Sequence, residues 1–125
     1  MMAPIVPLTA VHWADVGATG WTVRFYALRG EEWPGADLVA LGQALGLSLK
    51  QRRRAGREYP GSRRRLLCFN RNGKALPVTI GSASAAAGLF AVARAVGKPS
   101  VDEAEQAFGE AFEEAARLMR AERAA

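Results

Sequence analysis

The sequence predicts an α+β fold: a small winged-helix-like domain of about four helices with short antiparallel β-hairpins. Three observations predict it. Residues 21–28 alternate with the period of a half-buried strand, Asn72-Gly73 stands between two β-rich runs, and four other stretches carry helix start and stop signals. At 125 residues the chain is expected to be one domain with one modest core. Within it, residues 1–20 form an N-terminal arm or edge strand. Residues 21–80 hold a strand, a helix-turn-helix and a wing hairpin, and residues 81–125 a helical hairpin.

The first apolar segment, residues 5–13, is interrupted by Pro7, and proline is kept to edge strands or extended arms. Residues 15–20, DVGATG, read as a turn. In the next strand Trp21, Val23, Phe25 and Ala27 share one face, and Thr22, Arg24, Tyr26 and Leu28 the other. Glu32-Trp33 is expected to begin a short partner strand that Pro34-Gly35 stops. From Ala36 to Leu45 the residues Leu38, Leu41 and Leu45 recur at helical spacing, with Asp37 in the first turn and Gly46 beyond the end. Gly42 inside this helix costs about 1 kcal/mol relative to alanine, so another element is expected to approach closely there.

A second helix follows at once, where Ser48-Leu49-Lys50-Gln51 fits a capping box. This helix, residues 49–57, has little apolar stripe beyond Leu49 and Ala55, which suits a face shown to a charged partner. Residues 65–69 and 75–80 are β-rich, and Asn72-Gly73 between them signals a type I′ hairpin. Pro77 makes the second of these an expected edge strand. Residues 81–97 read as a buried central helix capped by Ser82 or Ser84. The last helix, residues 101–120, carries Val101, Ala104, Phe108, Phe112, Ala115 and Met119 on one side, with Ser100 and Glu103 as an expected capping box. Aromatic side chains throughout, Trp13, Trp21, Trp33 and Phe69 included, are expected to serve the core.

Charge is distributed unevenly. Residues 49–74 hold ten of the 17 Lys and Arg residues against one acid, Glu58, whereas residues 100–125 hold seven acids against three bases. So dense a positive field needs solvation or a polyanion, of which a phosphate backbone is the commonest. A single cysteine, Cys68, excludes an internal disulfide and suits a reducing compartment. It lies in an apolar run and is expected to be an inert buried thiol. No apolar stretch is long enough to span a bilayer, and the N-terminus lacks the basic start of a signal peptide, so the expected location is cytoplasmic, with no membrane partner. His12 has no neighbouring Cys or His for a metal site, and no phosphate loop, zinc signature or nucleophile elbow occurs. No catalytic residue, metal or cofactor is expected.

A helix, a tight glycine turn, a second basic helix and then a hairpin is the order of a winged helix-turn-helix, whose second helix enters the major groove. On that pattern Gln51, Arg52 and Arg53 are the base-edge candidates, because Arg pairs bidentately with guanine and Gln with adenine. Lys50, Arg54, Arg57, Arg63, Arg64, Arg65, Arg71 and Lys74 complete the nucleic-acid-binding set, chiefly as phosphate contacts, which position without specifying. Tyr59 among the arginines would stack on a base if the ligand were single-stranded. Arg52 stands where such a second helix normally buries an aliphatic side chain against the first, a departure that leaves room for a different packing.

The segments Gly30-Glu31-Glu32-Trp33, Asp37-Leu38 and Leu45-Gly46-Leu47-Ser48, followed by Gly88-Leu89-Phe90, Lys98-Pro99 and a helix through Phe108 and Phe112, resemble the BRO-N domain of baculoviral BRO proteins and phage antirepressors. The resemblance spans roughly residues 21–120 through short motifs. It implies a small α+β DNA-binding module, often dimeric or fused to a second domain. The last helix departs from the family in being acidic and lacking tryptophan. A DNA-binding regulator is therefore the first expectation, with an RNA or single-stranded DNA binder, or an inhibitor docking on an acidic protein, as the alternatives. A homodimer through Phe108 and Phe112 of the last helix is the expected assembly.

Overall fold

The computed structural model describes residues 10–16, 22–28, 30–61, 63–69 and 75–124, with residues 63–69 and 75–77 described by their backbone path. Five strands and four helices run in the order β1 (Ala10–Asp15), β2 (Thr22–Tyr26), β3 (Gly35–Asp37), α1 (Leu38–Ala44), α2 (Leu49–Glu58), β4 (Arg63–Phe69), β5 (Ala75–Gly81), α3 (Ala83–Ala95) and α4 (Val101–Ala124). All strand pairs are antiparallel, in the spatial order β1-β2-β3-β5-β4. The fold is α+β with four helices, as the sequence predicts. Among the described residues no helix is long and apolar enough to cross a membrane.

Alternation on β2 drives the layering. Val23 and Phe25 point into the main core with Leu41, Leu89, Phe90, Val92, Phe108 and Ala115, while Tyr26 and Leu28 join Ile80 in a smaller cluster. Five aromatic rings tie α3 and α4 to the sheet and the β2–β3 connection: Phe108 lies 5.4 Å from Phe25 and 5.5 Å from Phe90, and Phe112 stacks on Trp33 at 6.3 Å. α3 buries Ala85, Ala86, Leu89, Phe90, Val92 and Ala93 against the sheet and the other helices and leaves Ala83, Ala87 and Ala95 exposed, so it is covered on one side rather than all round.

Several sequence expectations need correction. The short strand follows Pro34 rather than ending at it. Pro34 is buried, and Gly35 and Ala36 pair with Tyr26 and Phe25 on one side, while Ala36 and Asp37 pair with Gly81 and Ile80 on the other. The main chain keeps its pairing groups after a proline, and only the proline itself must avoid a central position. β5 is likewise not an edge strand. It lies between β3 and β4, but β3 reaches only Ile80 and Gly81, so Pro77 sits where β4 is its single neighbour. The hairpin joins Phe69 to Ala75 in register, and the Asn72-Gly73 turn lies outside the described residues. Trp21, the side chains of Cys68 and Phe69, and the turn over residues 17–20 do so too.

Ser100 forms no capping box. Its φ of 59° is left-handed, whereas an N-cap hydroxyl reaches the first turn from extended backbone. α4 nevertheless runs on to Ala124, and Arg123 donates to the carbonyls of Glu31 and Leu28 at 2.6 and 3.1 Å, fastening the helix end to the β2–β3 connection. Trp13 and Trp33, expected in the core, are 64% and 54% exposed. Trp13 falls opposite Arg24 on the outward side of the β1–β2 pair.

Asp37 is the N-cap of α1 rather than part of its first turn, and its carboxylate accepts from Val39 and Ala40 N–H at 3.1 and 3.2 Å. Burial pushes this carboxyl above its ordinary value near 3.8, against those two bonds and the charge of Arg24. A raised value in the fold means that the protonated form is favoured there. The associated stability is full below the unfolded-state pKa and is lost as pH rises through the folded-state pKa. Asp37→Asn keeps the cap without burying a charge, so it is expected to equal or slightly exceed the parent at neutral pH and to flatten this dependence. Asp37→Ala is expected to cost about 1 kcal/mol. Denaturant titrations between about pH 3 and 7 compare the three proteins.

Candidate nucleic-acid interface

The candidate interface is built on the α1–turn–α2 unit. α1 ends at Leu45, and Gly46 follows at φ 72°, a left-handed conformation that glycine adopts without a Cβ clash. Leu47 N–H bonds to Gly42 C=O at 2.9 Å and Gly46 N–H to Gln43 C=O at 3.0 Å, the paired bonds of a Schellman stop. Leu47 is buried and Ser48 starts α2. The Ser48 hydroxyl accepts from Gln51 N–H at 3.2 Å, and the Gln51 side-chain oxygen accepts from Ser48 N–H at 2.9 Å. The capping box read from the sequence is present.

That box changes the roles available to the base-edge candidates. Gln51 spends its carbonyl oxygen on the helix start, so the two-bond pairing with adenine cannot be made while the box stands. Arg52 turns inward. A methyl group at Gly42 would lie 2.4 Å from Arg52 Cδ and 2.8 Å from Cγ, which shows the arginine stem lying directly on the glycine of α1. Gly42 thus admits an arginine where helix pairs of this kind usually bury an aliphatic residue, and the stem serves as that residue. The buried Nε of Arg52 has no hydrogen-bond partner among the described residues.

Arg53 is exposed, as are Lys50 and Arg57, and none of the three has a carboxylate partner among the described residues. Arg54 pairs with Glu58 at 3.0 Å, with both side chains some two-fifths exposed, a bond weak enough for a phosphate to displace. Three acids of α4 are engaged elsewhere: Arg94 bonds Glu105 and Asp102 at 2.7 and 2.9 Å, which holds its guanidinium more firmly protonated, and Arg117 bonds Glu114. Tyr59 caps the far end of α2 at 42% exposure, its Cβ resting against Gly88 of α3. Arg63, Arg64 and Arg65 begin β4 and pair with Gly81, Ile80 and Thr79, at the base of the hairpin. Their side chains, together with Arg71 and Lys74, lie outside the described residues.

Sequence reasoning missed two members of this surface. Leu49 and Val39 are 53% and 43% exposed. With Leu38, Leu89, Thr79, Arg52 and Arg53 they line a depression of about 190 Å³ between the start of α2, α1, α3 and β5. Its lining puts the start of α2 beside the hairpin strand β5. The signal was available: the capping box makes Leu49 the first helical residue, and Leu49 and Ala55 are then about 120° apart, too far for one narrow buried stripe. A larger cavity, about 380 Å³ with Leu28, Trp33, Pro34, Ile80 and Phe112 in its walls, takes no residue from α1 or α2. Among the described residues its one charged wall residue is Glu31, the wrong sign for a phosphate.

The fold and this surface define a small α+β domain with a helix-turn-helix leading into a β-hairpin and a row of solvent-facing cations on the second helix. No family model matches the chain, and no curated protein or solved structure is significantly similar to it.

Proposed function

We propose that this chain is a cytoplasmic, non-enzymatic DNA-binding protein, a regulator of phage-antirepressor or winged-helix type that lays α2 in the major groove. The observation that carries the reading is the row Lys50, Arg53 and Arg57, exposed and without carboxylate partners among the described residues, on a helix whose start shares a depression with strand β5 of the hairpin. Such cations gain from releasing the counterions of a duplex. The short-motif resemblance to the BRO-N domain points the same way. Gel-shift titration of a short duplex across a salt series is the test. With about five to seven phosphates neutralised, log affinity is expected to fall against log salt with a slope of roughly −4.5 to −6. A flat salt response, or no binding to any duplex, overturns the proposal.

Exposure of Tyr59 at the end of α2 favours single-stranded nucleic acid as the second reading, since an aromatic beside arginines offers a stacking platform. Competition between a duplex and its separated strands decides between the two. A homodimer through α4 would have to use what that helix leaves open. Phe108 is buried in its own core and Phe112 is partly covered by Trp33, so the stripe expected to form a dimer contact is largely occupied within the chain.

A further inference from the structure

We infer that the depression between Val39 and Leu49 receives the 5-methyl edge of a thymine, and that Arg53 beside it reads a neighbouring guanine. The inference rests on the duplex-DNA reading above and gives it a base preference.

Three features of the site lead there. First, the residues of α2 free to reach a base edge are fewer than its composition suggests. Gln51 is held by the capping box and Arg52 by Gly42, leaving Leu49, Lys50 and Arg53 in the first turns, the part of a recognition helix that meets base edges. Second, two of those three are cations, whose best partner in the major groove is the O6/N7 edge of guanine. Third, Leu49 is apolar and exposed, and with Val39 and Thr79 it forms a concave wall rimmed by Arg52 and Arg53. A lone exposed leucine needs no explanation. A hollow shared by α1, α2 and β5, on the most cationic helix of the chain, favours an occupant with an apolar edge that is carried by a polyanion. Among the four bases only thymine presents a methyl group in the major groove, with an O4 acceptor next to it for a guanidinium.

Selection from a pool of short randomised duplexes is expected to enrich sites containing adjacent thymine and guanine. Replacing the selected thymine by uracil removes one methyl group and nothing else from the groove. Affinity is expected to fall about fourfold, the value of one buried methyl-sized group. Leu49→Ala should bind the thymine duplex that much more weakly and no longer distinguish it from the uracil duplex. Because Leu49 is more than half exposed, the variant is expected to fold, and its thermal melt verifies this. Retention of the thymine preference by Leu49→Ala overturns the inference, as does equal binding of both duplexes by the parent. In either case a normal salt slope leaves the duplex-DNA reading standing. Absence of binding to every duplex in the pool removes both.

Discussion

Phe108→Ala is expected to cost about 3–5 kcal/mol of folding stability. Phe108 is buried where α4 meets α3 and the sheet, its ring 5.4 Å from Phe25, 5.5 Å from Phe90 and 6.3 Å from Phe112. Truncation removes the transfer free energy of the ring and leaves a hole that three other aromatics cannot all move to fill. A domain of this size has about 5–15 kcal/mol in total, so the variant should melt roughly 10–20 °C below the parent. Phe112→Ala, at a half-buried ring four residues on, should lose about half as much or less. Circular-dichroism melts compare the two. Equal losses would mean that the three-ring contact does not concentrate stability at Phe108.

Neighbouring arginines on α2 are expected to separate stability from binding. Arg53→Ala should leave folding within about 0.5 kcal/mol of the parent, because the side chain is exposed and has no protein partner among the described residues. Its duplex affinity should drop by about 1–3 kcal/mol, the range for losing an arginine–guanine pair. Arg52→Ala should do the reverse. Its stem covers Gly42, so its loss opens the α1–α2 contact and lowers stability by about 1 kcal/mol, with a much smaller change in affinity once the folded fraction is accounted for. Fluorescence anisotropy on a labelled duplex, alongside denaturant titration, reads both quantities. If Arg52→Ala weakens binding as much as Arg53→Ala, the inward packing of Arg52 is not its main role.

Much of the local structure was legible because it depends on near neighbours in sequence. The Ser48–Gln51 box, the stop at Gly46, the Ser82 cap, and the alternation of Val23 and Phe25 each need only a few adjacent residues. Gly42 was legible as a point of close approach, though not what approaches it. The exposed Trp13 and Trp33 were misread because type alone favours burial for large aromatics, and whether a neighbour covers them is a matter of packing. Ser100 was misread because its residue type and spacing suit a cap, while the left-handed backbone after Pro99 does not.

By itself the sequence determined the α+β class, the stop of the first helix, the caps of the second and third, and the concentration of cations between the first helix and the hairpin, since these are set by residue type and short spacing. Only the tertiary structure decided which of the cations on α2 face water. Arg52 and Arg53 are adjacent and chemically identical. About 100° of helical rotation turns one onto the glycine of α1 and the other into solvent, and that choice depends on where the partner helix lies.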